Sequence, residues 1–130
     1  MTIYLIDDDS LGNYLTEALL RLENFASQIR TYESAEDALE ELLQAPVPPR
    51  VIFLDLNMPV MSGWDFLEAL APYRPRLLGQ CHIYILTSSL ALSDMEKART
   101  YDLVSGLIHK PIDREEIRAI QAELTTEDHS

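Results

Sequence analysis

The sequence has few basic residues, one cysteine and no long hydrophobic run. Ten Lys and Arg residues stand against 22 Asp and Glu residues, which gives a formal net charge of −12. This balance argues against direct binding to nucleic acid or to an anionic membrane, because phosphate contacts require clustered basic side chains. An acidic composition of this kind is typical of a solvated surface.

The single cysteine, Cys81, excludes an intramolecular disulfide, and we expect it to be a small buried hydrophobic residue. No apolar segment reaches the length of a transmembrane helix, and the start of the chain lacks the charged region and cleavage site of a signal peptide. These absences predict a cytoplasmic protein.

With 130 residues, of which 47% are hydrophobic, the chain has the size and composition of one globular domain. Alternating or consecutive apolar residues predict five β-strands, at residues 2–6, 27–32, 51–55, 82–86 and 104–109. The second strand is partly polar, which favours a sheet edge. The third has four consecutive apolar residues before Asp55, which is typical of a buried central strand.

Apolar residues at spacings of three and four predict five helices between and after these strands. Their predicted core faces are Leu11, Tyr14, Leu15, Ala18, Leu19 and Leu22; Ala35, Ala38, Leu39, Leu42 and Leu43; Phe66, Leu67 and Leu70; Leu92, Met95 and Ala98; and Ile117, Ile120 and Leu124. Ser10 and Asp113 are predicted helix caps, and the third helix is expected to end near Pro72 and Pro75.

Strands alternating with helices predict an α/β fold with a doubly wound, five-stranded parallel sheet of order 2-1-3-4-5, a flavodoxin-like arrangement. The domain is expected to cover residues 1–124, followed by a polar tail at residues 125–130.

Four of the five predicted strands end on polar groups of related chemistry. Asp7 and Asp8 follow the first strand, Asp55 ends the third, Thr87 follows the fourth and Lys110 follows the fifth. In the predicted strand order these ends converge on one crevice. Three carboxylates there would repel one another without a cation, and Mg²⁺ suits a site with one or two direct carboxylate ligands. Asp8 and Asp55 are the predicted direct ligands.

Lys110 and Thr87 suit a phosphoryl group, the first as a point charge and the second as a hydroxyl donor. Asp55 could itself accept phosphate as an acyl phosphate, because in-line transfer depends mainly on positioning and charge neutralisation.

As a set, these residues resemble the receiver domain of two-component response regulators. The resemblance covers nearly the whole chain. The matching residues stand in the family's order and approximate spacing: Asp7 and Asp8, residues 55–63, Thr87 and Ser88, and Lys110 and Pro111.

The resemblance implies that Asp55 accepts a phosphoryl group from a histidine kinase or a histidine phosphotransfer protein. It implies Mg²⁺, with Mn²⁺ as a substitute, on Asp8, Asp55 and the backbone carbonyl of Asn57, and with Asp7 acting through water. Further implications are that Thr87, Ser88 and Lys110 hold the phosphoryl group and that the Lys110–Pro111 peptide is cis.

The resemblance also implies a stoichiometric phosphoacceptor, not an enzyme, that acts as a single-domain regulator of the chemotaxis type. Such a regulator docks onto a downstream protein through the fourth predicted helix, the fifth strand and the fifth predicted helix, and it can form a homodimer.

Three positions are candidate modulators of this chemistry. Leu107 stands three residues before the lysine, where the family commonly has Tyr or Phe, so a two-position ring switch is not expected in its usual form. Asn57 and Ser89 occupy positions that resemble modulators of phosphate lifetime, and turn formation is the alternative reason for both residues. Asp9 is expected to face solvent or to cap the following helix.

Two other functions are compatible with part of the pattern. A haloacid-dehalogenase-type phosphohydrolase also uses a strand-end aspartate with Mg²⁺, but it requires a carboxylate two residues later, where this chain has Asn57. A non-phosphorylated interaction module would not require the full set of Asp7, Asp8, Asp55, Thr87 and Lys110.

Overall fold

The computed structural model describes residues 1–128 and contains one parallel sheet of five strands. The strand order is β2-β1-β3-β4-β5, which confirms the predicted topology. The strands are β1 (Thr2–Ile6), β2 (Gln28–Tyr32), β3 (Val51–Asp55), β4 (His82–Thr87) and β5 (Val104–His109). β2 lies at an edge of the sheet, as its polar residues predicted.

The helices cover both faces of this sheet. They are α1 (Ser10–Leu22), α2 (Ala35–Gln44), α3 (Gly63–Ala69), α4 (Arg74–Leu77), α5 (Leu92–Ala98) and α6 (Arg114–Asp128), with a 3₁₀ helix at Ala71–Tyr73. One core cluster contains buried residues of α2, α3, α4 and α5, and the other contains those of α1 and α6. Within residues 1–128 no helix has the length and apolar character needed to cross a membrane.

The segment after α3 differs from the prediction of five helices. α3 ends at Ala69, close to Pro72 and Pro75 as predicted, but each of these prolines lies in the first turn of a further short helical segment. A proline is tolerated there because the first N–H groups of a helix have no intrahelical acceptor.

β3 is the central strand, and all five of its residues are buried. Its side chains alternate between the two core clusters: Ile52 and Leu54 belong to one, and Val51 and Phe53 to the other. Pairing with β1 and β4 fixes the register of the strand. Asp55 is therefore held by its backbone at the carboxyl edge of the sheet.

The predicted core face of α1 is wrong except at Leu19, which is partly buried against a core cluster. Four of its residues are 57–69% exposed: Leu11, Tyr14, Leu15 and Leu22. Ala18 is exposed as well. The buried residues of α1 are Asn13 and Leu20.

Polar contacts at both ends of α1 explain its rotation. The side-chain amide of Asn13 donates to the backbone carbonyls of Asp7, at 2.8 Å, and Tyr32, at 3.3 Å. Beyond the other end, the Glu23 carboxylate lies 2.6 Å from Arg114 Nε on α6. These contacts turn the Leu-rich face of α1 toward solvent.

The N-cap of α1 also differs from the prediction. Asp9, not Ser10, precedes the helix, and its carboxylate accepts from the Leu11 N–H at 3.1 Å. Asp9 therefore has the capping role that was one of its two expected roles.

The predicted faces of α2, α3 and α6 are largely confirmed. Their buried residues are Ala35, Ala38 and Leu42; Phe66, Leu67 and, directly after α3, Leu70; and Ile117, Ile120 and Leu124. In contrast, Leu43 of α2 is exposed, and so are Leu92 and Met95 of α5. α5 is only seven residues long, and Ala98, at its C-terminal end, is its one buried residue. The first turn of α5 therefore does not contact the core.

Smaller predictions also have outcomes in this structure. Cys81 is buried, as expected, and Asp113 caps α6 by accepting from the Glu116 N–H at 2.8 Å. α6 continues through Asp128, so the predicted polar tail at residues 125–130 is helical as far as residue 128. The Thr125 hydroxyl donates to the Gln121 carbonyl within that helix at 2.8 Å. Residues 129–130 lie outside the described part of the chain.

Candidate functional site

The ends of β1, β3, β4 and β5 bring the predicted polar residues to one edge of the sheet. Asp55 and Thr87 are the last residues of β3 and β4, while Asp7 and Lys110 directly follow β1 and β5. Asp7, Asp55 and Thr87 are all at most 5% exposed. Buried polar groups require partners, and Lys110 supplies one for both carboxylates.

Lys110 lies between the two buried aspartates. Its Nζ is 2.7 Å from Asp7 Oδ2 and 3.2 Å from Asp55 Oδ1. The backbone N–H of Lys110 also donates to the Thr87 carbonyl at 2.8 Å. The Lys110–Pro111 peptide is cis, as the resemblance implied.

Three carboxylates form a group that could hold a cation. Asp7, Asp8 and Asp55 each have an oxygen within 4.8 Å of the others. Asp8 is exposed, and within residues 1–128 its carboxylate has no hydrogen-bond or ion-pair partner. An all-oxygen donor set with one uncommitted carboxylate fits Mg²⁺, which prefers hard oxygen ligands and retains several waters.

The neighbouring charges and burial of the site shift the pKa values of Asp55 and Lys110. Burial raises the pKa of Asp55, and the charge of Asp7 raises it further, while Lys110 and the Asn57 backbone N–H partly offset both effects. Burial alone would lower the pKa of Lys110, but the hydrogen bond to Asp7 and the negative charges of Asp55 and Asp7 raise it overall. The lysine therefore stays charged, and Asp55 ionises less readily than an exposed aspartate.

Thr87 is bonded to its own loop. Its hydroxyl donates to the Ser89 carbonyl at 2.9 Å and accepts from the Ser89 N–H at 3.1 Å. Ser88 and Ser89 are both exposed. Leu107 pairs in register with Ile85 and packs against the core cluster that contains α5.

Gly63 lies in the stretch of residues 55–63 that carries the resemblance, but its contact with the end of β3 was not predicted. A Cβ at this position would lie 2.6 Å from the backbone oxygen of Asp55 and 2.9 Å from Leu56 Cα. The Gly63 N–H donates to the Leu56 carbonyl at 3.0 Å, which joins the start of α3 to the end of β3. Only glycine permits this close approach.

Asn13 was also missed, because the predicted α1 face excluded it. Its amide holds the backbone of Asp7, so it positions a site carboxylate from behind. In the sequence, Asn13 stands on the opposite side of α1 from most of its leucines. That position indicates a buried polar residue only if those leucines face solvent.

Comparisons with known proteins give one family match and several similar folds. A family model for the response regulator receiver domain matches residues 3–122. The fold is similar to a two-component response regulator from Cytophaga hutchinsonii, with a TM-score of 0.84, 26% identity and 96% of each chain covered. No significant match is found among curated protein sequences.

Two more distant structures show the fold alone. A receiver protein from Dyadobacter fermentans has a TM-score of 0.84 at 24% identity, covering 98% of this chain and 97% of its own. A chemotaxis protein from Vibrio cholerae has a TM-score of 0.73 at 20% identity, covering 94% and 96%.

Proposed function

Because the chain belongs to the response regulator receiver domain family, we propose that it accepts one phosphoryl group on Asp55 from a histidine kinase or a histidine phosphotransfer protein. One observation carries the proposal: Asp55 is a buried carboxylate at the end of the central strand, 3.2 Å from Lys110 Nζ, inside a group of three carboxylates. This arrangement has a nucleophile, a fixed positive charge and oxygen ligands in one place.

In the proposed transfer, an Asp55 carboxylate oxygen forms a bond to phosphorus while the phosphorus–nitrogen bond to the donor histidine breaks. The bonding electrons stay on the imidazole, which takes up a proton. Lys110 provides positive charge for the phosphoryl oxygens, and Asp7 holds that lysine at 2.7 Å. Mg²⁺ bound by Asp8, Asp55 and the Asn57 carbonyl, with Asp7 acting through water, would neutralise negative charge at the site.

The product is expected to persist because its hydrolysis requires a base that takes a proton from the attacking water. Two residues beyond Asp55, where a haloacid-dehalogenase-type enzyme has its second carboxylate, is Asn57, an exposed amide that cannot act as a base. The protein would therefore act as a stoichiometric acceptor and signal by docking onto a downstream protein. We also propose that the protein acts in the cytoplasm.

Mixing the purified protein with Mg²⁺ and acetyl phosphate tests this function. Intact mass spectrometry is expected to show one added phosphoryl group per chain and no addition when EDTA is present. Sustained, multiple-turnover hydrolysis of p-nitrophenyl phosphate would contradict the proposal in favour of a phosphohydrolase.

Mg²⁺ is expected to stabilise the folded protein, because the cation relieves repulsion among Asp7, Asp8 and Asp55. A ligand that binds only the folded state adds about 1 kcal/mol at a few times its Kd. In a domain of this size that shifts the melting temperature by about 4 °C. Asp8→Asn should remove the shift, measured by thermal denaturation with and without Mg²⁺.

Asp9→Asn is the matched control for that measurement. It removes a neighbouring carboxylate but keeps a side chain that caps helices equally well. We expect it to retain the Mg²⁺ response. A full response in Asp8→Asn would exclude Asp8 as a ligand.

Phosphorylation is proposed to change the conformation of the loop after β4 through Thr87. New phosphoryl oxygens would compete with Ser89 for the Thr87 hydroxyl and so shift the loop before α5. Thr87→Ala should therefore remove the change in backbone amide exchange at residues 88–95 that beryllofluoride, a phosphate mimic, produces in the wild type.

Leu107→Ala is the comparison for this prediction. It should lower the unfolding free energy by about 2 kcal/mol through a partly buried cavity. The beryllofluoride response at residues 88–95 should remain. Loss of that response in Leu107→Ala, with Thr87→Ala unaffected, would reverse the assignment of the switch.

A further inference from the structure

A cavity of about 710 Å³ lies at the amino edge of the sheet, opposite the edge that carries Asp55. The starts of β1 and β2 form the floor of this amino-edge cavity. They contribute two pairs of residues that are in register, Thr2 with Gln28 and Tyr4 with Arg30. Because side chains two residues apart on a strand lie on the same face of the sheet, all four belong to one surface.

The walls of the amino-edge cavity are held in place by the backbone. One wall is the C-terminal end of α2, residues 41–45, and the other is the connection to β3, residues 46–50, which contains three prolines with restricted φ angles. Arg76 donates to the carbonyl of Ala45, and the Arg50 N–H donates to the carbonyl of the first β1 residue at 2.8 Å. A cavity with walls fixed in this way loses little conformational entropy when a ligand binds.

Three of the four glutamines in the chain line the cavity: Gln28, Gln44 and Gln80. Within residues 1–128 the side chains of Gln44 and Gln80 have no hydrogen-bond partner. The Gln28 amide only accepts a hydrogen bond, from the Thr2 hydroxyl at 3.1 Å. An amide presents a donor beside an acceptor, which matches the hydrogen-bonding edge of a purine base.

The charged side chains of the lining are two arginines, Arg30 and Arg50, and one acid, Glu41. Arg30 Nη1 lies 3.2 Å from Glu41 Oε1, and the Arg30 side chain is 48% exposed. A guanidinium has five N–H donors, so Arg30 can bind an anion while it keeps this ion pair. In a protein with a net charge of −12, the cavity is a place of local positive charge that suits one phosphate group.

We infer that the amino-edge cavity binds a purine nucleotide, with the base against the glutamine amides and the proline rings and the phosphate on Arg30. The volume lies within the range of small-molecule sites, about 300–1,000 Å³. The mixture of apolar proline surface with a few uncommitted polar groups is typical of such sites. Because the cavity is at the opposite edge of the sheet from Asp55, this inference does not depend on the proposed function.

Isothermal titration calorimetry of the full chain with AMP and with GMP tests this assignment. EDTA is present throughout, so that no divalent cation holds a phosphate at the three carboxylates. We expect at least one of the two nucleotides to bind with one site per chain. It should bind at least tenfold more tightly than its nucleoside and than ribose 5-phosphate, because each of these lacks one of the two recognised parts.

The absence of binding by both nucleotides would overturn the assignment. Equal affinities for the nucleotide and for ribose 5-phosphate would also overturn it, because the cavity would then hold a phosphate alone.

Arg30→Gln should weaken nucleotide binding about tenfold, since a hydrogen bond to a charged group is lost. Arg21→Gln is the matched control, because Arg21 is also an exposed arginine in an ion pair, with Glu17 at 3.4 Å on α1. It should bind like the wild type. Equal losses in the two variants would show non-specific attraction and would contradict a site at Arg30.

Replacing Gln44 and Gln80 together with methionine tests recognition of the base. Methionine keeps the length of both side chains but removes both amides, so nucleotide affinity should fall about tenfold. Unchanged affinity in this double variant would exclude the glutamines as the base-binding groups. Melting curves like that of the wild type would confirm that each variant folds.

Backbone amide NMR signals locate the bound nucleotide. We expect saturating nucleotide to shift the signals of residues 28–30 and 44–50 and to leave those of residues 7–9 and 55–57 unchanged. Shifts confined to residues 7–9 and 55–57 would place the nucleotide at the carboxylate site and would overturn the assignment.

Discussion

Replacing Asp55 with asparagine is expected to abolish phosphoryl transfer from acetyl phosphate. The amide keeps the size of the side chain at the end of β3 but lacks the carboxylate nucleophile. Asp7 and Asp8 remain in place, yet neither ends the central strand, and Asp8 is exposed. The variant should show no mass increase under conditions that fully label the wild type.

Asp9→Asn is the control for this substitution, since it changes a nearby carboxylate outside the group of three. It should be labelled like the wild type. Labelling of Asp55→Asn at the wild-type rate would show that another residue is the acceptor.

Asp55→Asn is also expected to change the unfolding free energy in the absence of Mg²⁺. The pKa of Asp55 is raised by burial and by Asp7, so its ionised form is disfavoured in the folded state. At neutral pH, Asp55→Asn should therefore be more stable than the wild type. Because a raised pKa makes the folded state gain stability as pH falls through that pKa, the difference should shrink at acidic pH, as measured by urea denaturation.

Replacing Gly63 with alanine is expected to lower the unfolding free energy by about 3 kcal/mol, at the upper end of typical overpacking effects. The added Cβ would lie 2.6 Å from the Asp55 carbonyl oxygen and 2.9 Å from Leu56 Cα. Both are backbone atoms of the β3 end, so neither can rotate away. α3 must move away from the strand, which strains the hydrogen bond from the Gly63 N–H to the Leu56 carbonyl.

Gly12→Ala is the matched control, because it also adds a methyl group in the first turn of a helix. The atom closest to that Cβ is a carboxylate oxygen of Asp9, at 3.2 Å, which belongs to a flexible side chain. Its stability should change by less than about 1 kcal/mol, since alanine also improves helix propensity. Equal unfolding free energies for Gly63→Ala and the wild type, from urea denaturation, would contradict the packing of α3 on β3.

The convergence of these polar residues at one edge of the sheet was predictable because each of them stands at or directly after the end of a strand. A strand of consecutive apolar residues that stops at Asp55 predicts that the strand is central and that Asp55 lies at the carboxyl edge of the sheet. Asp7, Thr87 and Lys110 also stand at or directly after strand ends. The right-handed parallel topology then brings these ends together without any knowledge of side-chain contacts.

The orientation of α1 was not predictable in the same way. Leucines at helical spacing show that an apolar face exists, but they do not show whether it faces the sheet or solvent. The buried amide of Asn13 and the ion pair of Glu23 decide the rotation, and both partners are distant in sequence. The role of Gly63 was not predictable either, because it depends on how closely α3 approaches the backbone of β3 in the folded protein.

Locating the phosphoryl group on the wild-type chain tests the central claim most directly. After treatment with Mg²⁺ and acetyl phosphate, reduction with borohydride converts an aspartyl phosphate to homoserine, and peptide mass spectrometry identifies the residue. The account predicts homoserine at position 55 alone. Modification of Asp7 or Asp8 with Asp55 unchanged, or a chain that gains no phosphoryl group, would contradict it.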